Sequence, residues 1–327
     1  MFISSLADFC KDGYAFSMTG NARPDRRNFL KSASLTALAA TGGTLATSVV
    51  AADKVPTLPH EFCTFTKAIQ HMSYDEVSKV IADIGFDGVE SAVRPGGHVE
   101  PERVTEDLPK MVESLKKQDL KLTVMTSAIN EVSKEQHTES VLKTAADLGV
   151  ERFRMGYYKY DLKKPIKPQL DEFRPKLKDL VAMCTELGIK PVYQNHSGKN
   201  YLGGPIWDLA GLLEEFDPDH VGCAFDVGHA TVEGAKAWPL NFARIRSHID
   251  TVYLKEPNWL DGKIQFGALG TGMVDKGFYK ALKTSNFTGP ISVHVEYLGH
   301  KDPKIMPAVI KAMAENFATA KQFLSEA

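Results

Sequence analysis

The chain has 327 residues, 43% of them hydrophobic, and its 39 Lys and Arg nearly match its 41 Asp and Glu for a formal net charge of −2. So even a balance excludes the basic stripe on which nucleic-acid binding rests.

The first element is a leader. Arg26-Arg27-Asn28-Phe29-Leu30-Lys31 is a twin-arginine pattern, followed by an uncharged, Ala- and Thr-rich stretch that ends in Val50-Ala51-Ala52. Small residues there suit signal-peptidase cleavage before Asp53, so residues 1–52 are expected to direct export to the periplasm or another extracytoplasmic space. Gly42-Gly43 and the many Thr and Ser make the stretch too weakly apolar for a permanent membrane span. Residues 1–17 sit oddly ahead of such a signal, and Met18 is an alternative start. Beyond the leader, Cys63, Cys184 and Cys223 have no paired spacing, so they read as buried apolar filler rather than disulfides or zinc ligands.

From residue 53 to 327 the pattern is short β-branched or aromatic runs, each leading to an amphipathic stretch. Strands are expected at 62–66, 88–91, 122–127, 152–156, 191–195, 221–226, 251–255 and 291–296. Helices are expected at 74–84, 103–118, 134–148, 173–187, 207–215, 240–249, 276–284 and 307–324. Gly85, Gly149 and Gly188 stand where a left-handed cap would turn a helix back toward the sheet. This alternation predicts a single α/β domain, a (β/α)8 TIM barrel, with an open doubly wound sheet as the alternative. Irregular stretches at 94–101, 157–169, 197–205 and 256–275 all follow strands and would lie on the catalytic face. The last carries Trp259, Phe266, Gly267, Gly270 and Gly272, and reads either as a lid with glycine hinges or as plain turn chemistry. It lacks a nucleotide-binding spacing, so no nucleotide cofactor is expected.

Residues two apart on a strand share a face. If the last inward residue of each strand faces the barrel mouth, Glu90, Arg154, Gln194, Asp226, Lys255 and Glu296 converge there, with His196 and His229 just above. So many polar groups need partners or a ligand. The plain alternative is a structural ion cluster in which Asp226 and Glu296 pair with Lys255 and Arg154. On the same plain reading, His229 caps a helix and His294 is a satisfied core histidine.

Phe225-Asp226-Val227-Gly228-His229, Val252-Tyr253-Leu254-Lys255, Leu269-Gly270-Thr271-Gly272 and His294-Val295-Glu296 resemble motifs of the sugar phosphate isomerase/epimerase superfamily, the xylose isomerase-like TIM barrels. The resemblance runs from about residue 61 to the end. It implies a divalent cation held by Glu, Asp, His and Glu at the ends of the fifth to eighth strands. Here those positions are Gln194, Asp226, Tyr253 and Glu296. It further implies that His229 contacts substrate hydroxyls and that Lys255 lies close to the site. A site of Asp226, Glu296 and the Gln194 amide oxygen would hold Mn²⁺ or Mg²⁺ through waters. Alternatively Lys255 supplies the positive charge and no metal binds.

The function expected is an exported sugar or keto-sugar isomerase or epimerase that removes a proton next to a carbonyl. Glu296 and Lys255 would be catalytic, and His229, His196, Glu90, Arg154 and Tyr253 would bind substrate. Gln194 cannot take up a proton, which favours a one-base reaction. The alternatives are therefore a lyase or hydratase on a 3-keto-glycoside, or a sugar-binding barrel that has lost catalysis. Expected partners are a small carbohydrate and the twin-arginine export machinery. A homo-oligomer is left open, and nucleic acid is not expected.

Overall fold

The computed structural model describes residues 59–299 and 302–327. The expected leader and the alternative start at Met18 lie outside the described residues. Among those described, the strands in chain order are β1 (Phe62–Phe65), β2 (Gly88–Ala92), β3 (Lys121–Thr126), β4 (Arg152–Arg154), β5 (Lys190–Gln194), β6 (Gly222–Asp226), β7 (Ile249–Leu254), β8 (Glu256–Leu260), β9 (Lys263–Gly267) and β10 (Ile291–Val293). The helices are α1 (Tyr74–Ile84), α2 (Val104–Lys116), α3 (Thr138–Asp147), α4 (Ile166–Leu187), α5 (Trp207–Leu213), α6 (Val227–Gly234), α7 (Trp238–Ile245), α8 (Gly277–Thr284) and α9 (Met306–Glu326).

All strands except β8 and β9 join in a closed barrel of order β1-β10-β7-β6-β5-β4-β3-β2, and every pairing is parallel. The β1–β10 pairing, Phe62 opposite Ile291, closes the ring and rules out the open sheet. The local signals act as their chemistry requires. Ser73 and Glu76 form a reciprocal capping box at the start of α1. Gly85, Gly149 and Gly188 take φ of 95°, 83° and 73° where α1, α3 and α4 hand over to β2, β4 and β5.

Cys63, Cys184 and Cys223 are buried and free, and burial pushes all three thiols up, Cys184 to about 12. They pack rather than react. The barrel's N-terminal end is tied by Asp250, which lies 3.0 Å from Arg152 Nε and 2.9 Å from Lys190 Nζ. That is the end where a barrel invests in stability. No helix among the described residues is long and apolar enough to cross a membrane.

The segments not anticipated are α6 and the β8–β9 hairpin. Residues 256–275 are not simply irregular: Asp261 and Gly262, at φ 51° and 71°, turn β8 back antiparallel onto β9. Two left-handed residues in a row match the twist of a tight hairpin.

Candidate active site

The catalytic face is built by the strand ends. Arg154, Gln194 and Asp226 are the last residues of β4, β5 and β6, Lys255 directly follows β7, and Glu296 lies just beyond β10. Their side chains form one continuous chain of contacts. Arg154 Nη1 donates to Gln194 Oε1 at 2.6 Å, and Gln194 Nε2 donates to Asp226 Oδ2 at 2.7 Å. Lys255 Nζ lies 3.3 Å from Asp226 Oδ2, 2.8 Å from Glu296 Oε2 and 3.3 Å from His229 Nε2. Each of the ammonium's three N–H bonds thus has an acceptor. The expected convergence of these groups is present.

The local sequence explains why Lys255 is held so closely. Asp226 caps α6, its Oδ1 accepting the His229 N–H at 3.0 Å, while Asn195 pairs with both backbone groups of Asp226 at 2.7 and 3.0 Å. Gly228 then lets α6 sit on β7, because a Cβ there would come within 2.7 Å of Lys255 Cβ and 2.9 Å of its carbonyl oxygen. Gly228→Ala is expected to cost about 1–3 kcal/mol through overpacking and to displace Lys255. Thermal unfolding together with turnover measures both effects.

The protonation states follow from these contacts. Burial pushes His229 down to about 3, so it is neutral at physiological pH. Its Nε2 then accepts from Lys255 while Nδ1 donates to Ser197 Oγ at 2.8 Å. His196 is also lowered by burial and points Nδ1 at the Ser197 carbonyl, 2.8 Å away, with its ring 3.9 Å from that of His229. Burial opposes charge on Asp226, but His229 and Lys255 outweigh it and hold the carboxyl at about 2. Glu296 is held well below the usual carboxylate range: burial is overcome by Lys255, His294 and Lys67, whose Nζ lies 3.0 Å from Oε1. Lys255 in turn is raised above an ordinary lysine, because Asp226 and Glu296 outweigh its desolvation.

Glu90 and Tyr253 were expected to face substrate, yet both are fully buried below the mouth. The Glu90 carboxylate is taken by Thr126 Oγ1 at 2.5 Å, Ser292 Oγ at 2.7 Å and His294 Nε2 at 2.7 Å. Burial is outweighed there by His294, and the carboxyl is held at about 2. Tyr253 packs with Val192 and Ala224 one layer beneath Lys255, and among the described residues its hydroxyl has no hydrogen-bond partner. His294 is more than a core histidine. It bridges Glu90 to Glu296, with Nδ1 3.5 Å from Glu296 Oε2, and Glu90 raises its pKa against burial.

The donor set does not fit a divalent cation as it stands. The Gln194 amide oxygen, expected to face the carboxylates, turns instead to Arg154 and Tyr157, and its N–H side faces Asp226. The usual histidine position is the buried phenol Tyr253, and the space between Asp226 and Glu296 is spanned by the Lys255 ammonium. Among the described residues no group of three or more His, Cys, Asp or Glu is arranged to hold a metal.

Sequence reasoning missed Tyr157, Lys67 and Arg94. Tyr157 stands three residues after Arg154, the offset that separates His229 from Asp226, and Lys67 lies two residues past β1, where Lys255 lies one past β7. Those parallels were the available signals. Arg94, beyond β2, lies over the Phe65 ring at 5.8 Å, and burial lowers its pKa. The hairpin contributes Phe266, 5.5 Å from the His229 ring and 5.9 Å from Lys255 Nζ. The Gly270-Thr271-Gly272 turn is pinned rather than hinged: buried Glu256 accepts the N–H groups of Gly270 at 2.7 Å and Val274 at 2.9 Å. A Cβ at Gly272 would come 2.3 Å from the Pro257 carbonyl.

Several solved structures share this architecture. D-psicose 3-epimerase from Clostridium cellulolyticum H10 superposes with a TM-score of 0.64 at 11% identity, over 81% of this chain and 99% of that one. The 3-keto-D-glucoside 4-epimerase of E. coli gives 0.60 at 16% identity, over 79% and 99%. A probable 3-DHS dehydratase from Bacillus anthracis gives 0.59 at 15%, over 77% and 98%. At such identities the likeness speaks for the fold. A comparison with curated protein sequences gives no match. The profile of the xylose isomerase-like TIM barrels matches residues 78–316, and the chain belongs to that family.

Proposed function

We propose that the protein is a carbohydrate-active enzyme that removes a proton next to a carbonyl of a keto-sugar, as an isomerase or epimerase. The observation that carries this reading is the Lys255 ammonium fixed between Asp226 and Glu296 at the barrel mouth. A carbonyl oxygen entering there meets a preorganised cation able to stabilise an enolate, with a carboxylate beside it to accept the proton. In this reading Lys255 does the work of a metal. When a carbonyl takes one of its N–H bonds, its hold on Glu296 loosens and the carboxylate gains basicity. The epimerases and the dehydratase among the structural neighbours carry out sugar or related chemistry by their names, which supports the substrate class.

A second reading, β-elimination or hydration on a 3-keto-glycoside, is favoured by Gln194, an amide where a second carboxylate base would stand. Either reaction takes place outside the cytoplasm if the Arg26-Arg27 pattern is used. The N-terminus of the mature protein measures that directly, and an uncleaved cytoplasmic chain refutes it.

The experiment is incubation with a panel of keto-sugars and 3-keto-glycosides in D₂O, followed by NMR. Deuterium next to the carbonyl is expected, and its absence from every candidate leaves a sugar-binding barrel. The pH dependence is also set. Glu296 is ionised well below its usual range and Lys255 protonated above its own. The kcat/KM profile of the free enzyme should therefore show no acid limb at the ordinary carboxylate value of ~4.3 and no basic limb from Lys255 at the ordinary lysine value of ~10.4.

A further inference from the structure

Glu296 supplies a base on one side of the site, and the opposite side is occupied by a phenol. In the closed strand order, β4 lies four strands from β10 in either direction, so what rises from β4 stands across the ring from Glu296. Tyr157 rises there. Its hydroxyl accepts from Arg154 Nη1 at 2.6 Å and donates to Gln194 Oε1 at 2.5 Å. Asn130 Nδ2 holds its backbone carbonyl at 3.1 Å, and its ring rests 4.9 Å from that of His196 and 5.2 Å from that of Tyr201. The residue is half-buried, so it is fixed yet reachable from the mouth. Burial raises its pKa, and the phenol keeps its proton at neutral pH despite the nearby Arg154 and Lys255. Gln194 Oε1 already accepts from Arg154, so satisfying that oxygen does not by itself require the hydroxyl.

Resting on the proton-abstraction reading above, we propose that Tyr157 is the proton donor that acts on the substrate face opposite Glu296. Glu296 takes the hydrogen from the carbon beside the carbonyl, and the C–H electron pair becomes the enolate, its oxygen facing Lys255. The enolate pair returns to carbon and takes the Tyr157 proton from the other side, which inverts that carbon. The Tyr157 phenolate is held by Arg154, and proton exchange with water resets both groups. Gln194, which cannot carry a proton, thus serves by aiming the residue that can.

The test compares wild type with Tyr157→Phe on a keto-sugar in D₂O, following deuterium in recovered substrate and formation of product separately. Exchange into substrate should stay within about threefold, since Glu296 removes the proton, trades it for deuterium from the solvent and delivers that deuterium back to the same face. Product formation should fall by about 10²–10⁴-fold. If exchange and product fall together, or neither falls, the tyrosine assignment is overturned while the proton-abstraction reading stands. If the wild-type protein itself exchanges nothing, both go. A second measurement guards against a merely structural role: 3,5-difluorotyrosine at position 157 should move the basic limb of the turnover profile to lower pH. An unmoved limb counts against the proposal.

Discussion

Glu296→Gln is expected to lower keto-sugar turnover by about 10²–10⁴-fold and to remove deuterium exchange, with the barrel unchanged. The amide keeps the size of the carboxylate, but with a single oxygen it can accept from only one of Lys67 and Lys255, which lie 3.0 and 2.8 Å from the two carboxylate oxygens. What it loses is the ability to take a proton. Circular dichroism should stay close to wild type and the melting temperature should fall only modestly, since Lys255 keeps Asp226 as a partner, so a loss of turnover this large separates chemistry from folding. Turnover that survives in Glu296→Gln would assign the base elsewhere.

Lys255→Met is expected to cost both activity and stability. Asp226 is fully buried and Lys255 nearly so, and removing one member of a buried ion pair typically costs about 3–5 kcal/mol because the other charge is left uncompensated. The sign of the pH dependence follows from the shifts. In the wild type Asp226 is held down to about 2, so its stabilisation is present above the unfolded value of ~3.9 and fades as pH falls through the folded one. Lys255 is raised, so its share is full below ~10.4 and is lost as pH rises past its folded value. The deficit of Lys255→Met should be largest near neutral pH and should shrink in acid, where the stranded carboxylates protonate. Denaturant midpoints at neutral and acid pH measure it. A deficit independent of pH would mean that the lysine only fills space.

Much of the fold was legible because its signals are local. The expected 74–84 helix is α1 to the residue, bounded by the Ser73 box and the Gly85 cap. The 173–187 helix begins earlier, at Ile166, because Pro168 falls in the first turn, where its missing N–H costs nothing, and the helix absorbs Pro175. Helix α6 was invisible: its Val-Gly-His-Ala-Thr-Val-Glu-Gly sequence has low helix propensity, and it forms because Asp226 caps it and it packs on β7. The β8–β9 hairpin did carry a signal, Asp261-Gly262, which went unread beside the more conspicuous glycines that follow.

At the site, the rule that strand-end side chains converge located Arg154, Gln194, Asp226, Lys255 and Glu296. Strand alternation alone does not give depth, so Glu90 and Tyr253 were placed too near the mouth. Nor does it give the orientation of an amide, which for Gln194 is decided by Arg154 and Tyr157, partners contributed from β4 and the loop after it. Lys67 and Arg94 lie just past the strands where the count of inward residues stops.

On the proposed reading, the positive charge that serves the reaction at the barrel mouth is the ammonium of Lys255. Its most direct measurement is deuterium exchange into a responsive keto-sugar by protein treated with a strong chelator, then titrated with Mn²⁺ and Mg²⁺. The rate is expected to be unchanged by chelation and by either ion. A rate that collapses on chelation and returns with the metal would contradict it.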